Sequence, residues 1–333
     1  MKWSRALVGI VAASSLALAA CGGGTDTPAD NGGDANGAGE EISIGIVNLL
    51  SHPALDAAQE GFIEALADAG YVEGENLTLD LQNANNDQST LTNIANTFAN
   101  SDADLFYAIA TPSAQSLAQV ITDRPIVFAA VTDPVEAGLV ADWESPDANV
   151  TGVSDMNPMQ AQMELIQEVL PDVQTVGIVY SSGEVNSEVQ VAEAEEAAGP
   201  LGIEIVTATV TNSSEVQQAA QSLDVDAFLI PTDNTVVSAA ESVIQIGEQR
   251  GVPVFASDES TMERGAAAGL SVNYTQQGRD AAALALELLG GAEPSSLPVE
   301  TQKEFDLFVN ETAAESQGVT LPEAVIERAA KQF

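Results

Sequence analysis

One cysteine, Cys21, and one histidine, His52, stand in 333 residues. A single cysteine excludes a disulfide framework within the chain, and a single histidine leaves no pair for a zinc site and one imidazole at most for general-base work. A G-x-S-x-G turn, an H-E-x-x-H helix, a glycine-rich phosphate loop and a Cys-His pair are absent as well. Nucleophile-elbow hydrolysis, zinc-dependent proteolysis and phosphate cradling therefore have no residues to run on. Paired carboxylates exist, but among 50 acidic residues such pairs arise by chance, and the chain is not expected to be an enzyme or to carry a cofactor. Positive charge is scarce: 9 Lys and Arg face 50 Asp and Glu, for a formal net charge of -41. Such a chain repels nucleic acid and anionic membrane surfaces, which removes both as partners. The excess is read as a solvated acidic surface suited to a salty or acidic habitat, a matter of solubility and not of fold.

Long apolar runs are missing except at the start. Lys2 and Arg5 precede an Ala-, Val- and Leu-rich run from Ala6 to Ala20, the pattern of a secretory signal. The run is too short and too Ala-rich for a membrane span, which needs roughly 20 strongly apolar residues. It ends in Leu18-Ala19-Ala20-Cys21-Gly22, which resembles the lipobox of bacterial lipoproteins. That resemblance implies removal of residues 1–20 and a lipid on Cys21, anchoring an extracytoplasmic protein to the membrane. Residues 21–41, rich in Gly, Asp, Asn and Ala, read as the lipidated cysteine and a flexible acidic linker. From Ile42 onward the composition is globular, long enough for one large domain or two ordinary ones.

Short β-branched runs alternate with helical ones. Strands are expected at Ile42–Leu49, Leu77–Gln82, Leu105–Ala110 and Pro125–Val131, with helices at Ala54–Ala69, Thr90–Asn100 and Ala114–Ile121. The pattern recurs as strands Val176–Tyr180, Ile203–Thr209, Ala227–Ile230 and Val252–Ala256, with helices Val185–Ala198, Ser214–Leu223 and Thr235–Gln249. Strand-helix alternation of this kind builds a parallel sheet, here an α/β fold of two similar Rossmann-like lobes flanked by helices. Gly45 matches Gly177, Asp104 matches Asp226, and Pro125 matches Pro253 at similar offsets. Beyond these, a strand Gly269–Tyr274, a helix Gln277–Leu289, a strand Glu304–Asn310 and a closing helix recross between lobes. One lobe is expected to comprise 42–152 and 258–292, the other 153–257 and 293–333, joined by a three-segment hinge.

Ligands of open parallel sheets bind beyond the carboxyl ends of the strands. The residues there are polar: Asn48, Ser51 and His52, then Thr111 and Ser113, then Thr132 and Asp133 in the first lobe; Ser182, Glu184 and Asn186, then Thr232, Asp233 and Asn234, then Asp258 in the second. Thr111-Pro112-Ser113 opens a helix, whose free N–H groups and dipole favour a carboxylate. Asp133, Asp155, Asp233 and Asp258 offer carboxylates to an ammonium, with Asp258 and Asp233 the foremost choices, so a zwitterion satisfies both ends. Each of these residue types also caps helices, so capping and ligand binding stay open for each position. Thr232-Asp233-Asn234, however, places three polar groups where one cap would serve.

The segments His52-Pro53-Ala54-Leu55-Asp56, Thr111-Pro112-Ser113-Ala114, Val131-Thr132-Asp133-Pro134-Val135, Asn149 to Asp155 and Pro231-Thr232-Asp233-Asn234 resemble the tryptophan/tyrosine-type ABC transporter substrate-binding family. The resemblance spans about Ile42 to Pro322. It implies a type I periplasmic-binding-protein fold, a monomer closing over an amino acid, aromatic in the family's known cases, and permease and ATPase subunits as partners. A receptor that reports its ligand to a membrane sensor instead shares every one of these residues; neighbouring genes would separate the two.

Overall fold

A computed structural model describes residues 41–146 and 148–333; the expected signal segment, Cys21 and the linker up to residue 40 lie outside the described residues. The first part of the chain runs β1 (Ile42–Asn48), α1 (Pro53–Asp68), β2 (Leu77–Asn83), α2 (Gln88–Ala99), β3 (Leu105–Ile109), α3 (Thr111–Ala118), β4 (Ile126–Val131) and β5 (Val150–Ser154). Next come α4 (Met159–Val169), β6 (Thr175–Ser181), α5 (Val185–Ala198), β7 (Glu204–Val210), α6 (Val216–Ser222), β8 (Ala227–Ile230), α7 (Asn234–Val237), α8 (Ala240–Arg250), β9 (Val254–Ala256), α9 (Glu259–Glu263) and β10 (Ala268–Ser271). The chain closes with α10 (Tyr274–Leu289), β11 (Glu300–Thr301), β12 (Asp306–Val309), α11 (Glu311–Ser316), α12 (Glu323–Glu327) and β13 (Lys331–Gln332).

These strands form two sheets, ordered β11-β5-β4-β3-β1-β2 and β13-β12-β10-β9-β8-β6-β7. All pairings are parallel except β10 with β12. Strands such as LFYAI in β3 and IVFAAV in β4 are buried along their whole length, as expected where helices cover both faces of a parallel sheet. Each sheet carries its own apolar core. In the first, the rings of Phe62 and Tyr107 stack at 4.0 Å. The Tyr107 hydroxyl donates to the Ala58 carbonyl at 3.2 Å.

The duplication read from the sequence holds at atomic detail. Asp104 accepts the N–H of Ser43 at 2.8 Å, and Asp226 accepts that of Thr175 at 2.9 Å, so each aspartate pins the start of its lobe's first strand. A Cβ on Gly45 would lie 2.8 Å from the Phe106 ring, and one on Gly177 3.1 Å from Phe228. Those two phenylalanines in turn donate their N–H groups to Pro125 and Pro253 at 3.0 and 2.9 Å. Arg124 closes the end of α2 by donating to the carbonyls of Ala99 and Ser101, as Arg250 does for α6 with Gln221 and Leu223.

Three segments cross between the sheets: 155–158, 272–273 and 302–305. The expected boundaries need correcting at the second and third. Residues 258–271 belong with the second sheet, because β10 pairs with β9 and β12; Gly269 permits this, since a Cβ there would lie 1.8 Å from the Ala256 oxygen. The expected strand Gly269–Tyr274 thus merged a strand, a crossing and the start of α10. Residues up to Thr301 stay with the first sheet, where Glu300 pairs with Val153. The elements β5, α4, α9, β11 and β13 were missed, and the expected helix Thr235–Gln249 breaks into α7 and α8. On the outer side of the first sheet α10 lies directly on α1, with Gly278 against the Ala58 oxygen and Gly61 against the Thr275 oxygen.

Candidate functional site

Loops at the carboxyl ends of β1, β4, β5, β8 and β9 and the first residue of α10 line one cleft. Its walls are His52, Ala54, Leu55 and Ala130 from the first lobe, Thr232, Asp233, Asn234, Val237 and Asp258 from the second, and Asp155 and Tyr274 beside two of the crossings. Two non-glycine residues take left-handed backbone where strands enter this region: Ala110 at φ 80 after β3 and Ala130 at φ 57 within β4. Such conformations cost of order 1 kcal/mol or more and persist where the surroundings impose them, as at ligand clamps. Here Ala110 donates to Ala129 O at 3.0 Å and Ala130 to Gln277 Oε1 at 3.2 Å.

The foremost feature of the cleft region is unmet hydrogen-bonding capacity. Asn48 Oδ1, both His52 nitrogens, Thr111 Oγ1, Ser113 Oγ, Asn157 Oδ1, Asn186 Oδ1 and Thr232 Oγ1 are buried without a partner in the protein. Buried polar atoms are almost always paired, and leaving one unpaired costs about 1 to 3 kcal/mol. These atoms come from both lobes and lie after the carboxyl ends of strands or in the first crossing; His52 and Thr232 among them line the cleft. Thr111 and Ser113 sit in the first turn of α3, whose cap residue is Ala110 and offers no side-chain acceptor to the free N–H groups. His52 is likewise no cap: its side chain makes no such bond to α1.

Four carboxyl groups stand in or behind the cleft. Asp155 accepts from Thr132 at 3.0 Å and Tyr274 at 2.8 Å, one bond per oxygen; burial pushes its pKa up to about 6. Asp233 accepts from the N–H groups of Val236 and Ser181 and from the Ser187 hydroxyl. Burial, and then the neighbouring Glu184 charge, raise its pKa to about 7. Asp258 caps α9 by accepting from Thr261 N–H and takes the hydroxyls of Ser260 and Thr261. Glu184 accepts from Asn186, from Asn234 and from Thr235 N–H and Oγ1, tying β6 to the start of α7. Among the described residues no Lys or Arg forms an ion pair with any of the four. Burial disfavours the charged form of His52 and holds its pKa below the usual imidazole value, against the opposing pull of the Asp258 charge. The site therefore suits a ligand that brings its own cation. Among the described residues no group of three His, Cys, Asp or Glu side chains fits a metal ion.

Of the sequence-predicted residues, His52, Asp155, Thr232, Asp233, Asn234 and Asp258 line the cleft. Asn48, Thr111, Ser113 and Asn186 are buried with unpartnered atoms but are not among the cleft walls, while Thr132 and Glu184 hold wall residues in place. Three more of the expected residues lie outside the cleft walls. Ser51 is exposed and donates to Asp56 at 2.7 Å; Asp133 closes the turn after β4 by accepting from Val135 and Glu136 N–H; Ser182 is exposed. Asp233 is also a poorer ammonium holder than expected, since three donors of its own lobe already occupy it and a pKa near 7 leaves it largely protonated just below neutrality. Sequence reasoning missed Tyr274 and Asn157. The signal for Tyr274 was Asn273, which caps α10 by accepting from Gln276 N–H and so marks a loop end, not a strand end.

The sequence profile of the family described as ABC transporter substrate binding protein matches residues 43–333. A curated relative called tyrosine-binding protein, from Clostridioides difficile, is 38% identical over 313 residues, covering 92% of this chain and 91% of the relative. Among solved structures, a Streptococcus pneumonia ABC domain in complex with L-Trp is 34% identical, with a TM-score of 0.86 over 88% of this chain and 100% of that one. A ligand-free, open substrate-binding protein from Clostridium difficile is 39% identical but has a TM-score of only 0.68 over 87% of this chain and 98% of that one. The relative more similar in sequence is thus the less similar in shape, and the two differ by the state their descriptions give, ligand-bound against open.

Proposed function

The chain belongs to the ABC transporter substrate-binding protein family, and from that premise we propose that it captures an aromatic amino acid between its lobes and delivers it to the permease and ATPase of an importer. It is a type I periplasmic-binding-protein fold, an extracytoplasmic binding protein and not an enzyme. The observation that supports the ligand class is the set of unpartnered buried polar atoms, the hydroxyls of Thr111 and Ser113 at a helix start among them, together with cleft carboxyls that no Lys or Arg pairs among the described residues. Thr111, Ser113 and the free N–H groups of α3 receive the ligand carboxylate. Asp155 and Asp258 receive the ammonium, Asp155 because each of its oxygens accepts only one bond within the protein. Ala54, Leu55, Val237 and Tyr274 supply apolar walls for a ring. The tyrosine- and tryptophan-binding relatives support this assignment, and the shape shared with the Trp-bound structure supports closure of the lobes on the ligand.

A lipid on Cys21 would keep the receptor at the membrane; no helix among the described residues is long and apolar enough to cross one. Cys21→Ser should release the protein from the membrane fraction, and retention at unchanged mass would refute the anchor. For the ligand, calorimetry of the chain against the twenty amino acids should give binding by tyrosine, tryptophan or phenylalanine with a Kd of about 1 μM or tighter, roughly -8 kcal/mol. Binding by none of the twenty would overturn the assignment.

A further inference from the structure

Away from the three crossings, one side-chain hydrogen bond joins the lobes among the described residues: Asn86 Nδ2 donates to Thr235 Oγ1 at 3.2 Å. Neither partner is free to wander. Asn86 lies in the turn between β2 and α2 at φ 55, after Asn85 at φ 51, two consecutive left-handed residues of the type that tolerates that region best. The turn is tied down by Asn85 N–H to Asn83 Oδ1 at 2.7 Å, Asn86 N–H to Leu49 O at 2.9 Å and Asp87 N–H to Ala84 O at 2.9 Å. Across the cleft, Thr235 is 2% exposed and gives its hydroxyl proton to Glu184 Oε1 at 2.8 Å. Its oxygen therefore faces Asn86 as an acceptor, and the amide supplies the matching donor.

The acceptor side is wired to the cleft. Glu184 Oε2 takes Nδ2 of Asn234, a cleft wall, and Nδ2 of Asn186, whose Oδ1 is one of the unpartnered atoms. The geometry points to Asn86 as a latch: a positioning residue outside the cleft walls that holds the second lobe against the first and so sets how long a ligand stays. Its bond lies outside the hinge and spans the two lobes, so it forms when they are together and is broken when they part. The encounter with ligand takes place before closure, so the latch acts on the dissociation rate and not on the association rate, and it acts equally on every ligand the cleft accepts.

The latch rests on the proposed binding of a ligand between the lobes, and two variants test it. Asn86→Gly keeps the left-handed backbone and removes the amide, whereas Asn86→Asp keeps the shape and sets a carboxylate against the Thr235 oxygen and Glu184. Stopped-flow binding of tyrosine, tryptophan and phenylalanine should show dissociation about 3-fold faster for Asn86→Gly and up to about 10-fold faster for Asn86→Asp, the size of one partly exposed hydrogen bond and of its replacement by repulsion. Association should change less than about 2-fold, with the same factor for each ligand that binds. Dissociation within about 1.5-fold of the parent for both variants, or a loss confined to association or to one ligand, would overturn the latch. If the parent chain binds no amino acid, the proposed ligand class falls and the latch is judged without ligand. Labels placed by Gln82→Cys and Ser213→Cys in a Cys21→Ser chain should then move apart on Asn86→Asp, and an unchanged distance distribution would overturn it.

Discussion

Replacing Asp155 by asparagine separates a ligand-holding role from a fold-holding one, because the two predict opposite outcomes. The Asp155 carboxyl is buried, and its pKa rises from 3.8 to about 6. A carboxyl that holds its proton more tightly when folded favours the fold fully below about pH 4 and loses that advantage as pH climbs through about 6. At about 1.4 kcal/mol per pH unit, the ionised carboxylate handicaps the fold by about 3 kcal/mol at pH 7.5. Asparagine carries no such charge, while the bonds from Thr132 and Tyr274 are weakened by about 1 kcal/mol each. The variant should therefore match the parent or exceed it by about 1 kcal/mol in urea unfolding at pH 7.5. Binding should move the other way. An ammonium stripped of its buried partner loses about 2 to 5 kcal/mol, roughly 30-fold to several thousand-fold in affinity. Calorimetry reads the second effect and denaturation the first. A variant that loses more than about 2 kcal/mol of stability yet binds within 3-fold of the parent would show that Asp155 is only a hinge pin.

The same carboxyl sets a pH dependence: below about pH 6 Asp155 takes up a proton that the ammonium must displace, so affinity should fall by up to about 10-fold per pH unit on acidification, and a flat profile from pH 7.5 to 5 would argue against the contact. Thr111→Val with Ser113→Ala removes two unpartnered buried hydroxyls; affinity should drop about 10-fold or more for every amino acid bound while urea stability holds or rises, and an equal loss of stability would mean the hydroxyls serve the fold. Gly278→Ala would drive a methyl to 2.1 Å from the Ala58 oxygen, so unfolding should become easier by about 2 kcal/mol, and a change under about 0.5 kcal/mol would mean that α1 and α10 can part cheaply.

Residues that act through their own lobe's repeat were legible in the sequence. Gly45 and Gly177, or Asp104 and Asp226, recur because each lobe solves the same local packing problem, and pattern reading finds them. What failed was whatever depends on where the chain crosses. Strand β10 is four residues long and only Val272 separates it from Asn273, the cap of α10, so a short apolar run was extended through a crossing that local composition does not mark. The site divides in the same way. Polar residues after strands are visible in sequence, but whether an aspartate is spent or spare is decided by partners 50 residues away, as when Ser181 and Ser187 occupy Asp233. Ser51, Asp133 and Ser182 had the right residue types at the right offsets and were lost to a local acceptor, a turn or solvent. The unpartnered state of Thr111, Ser113 and Asn48 exists only in three dimensions.

The most direct test is a crystal structure of the chain with whichever aromatic amino acid binds it in calorimetry. The ligand should lie between the lobes, with its carboxylate oxygens within about 3.2 Å of Thr111 Oγ1 or Ser113 Oγ and its nitrogen within the same reach of Asp155 or Asp258. A ligand bound elsewhere, or one in the cleft that leaves those hydroxyls and both carboxylates untouched, would contradict the account.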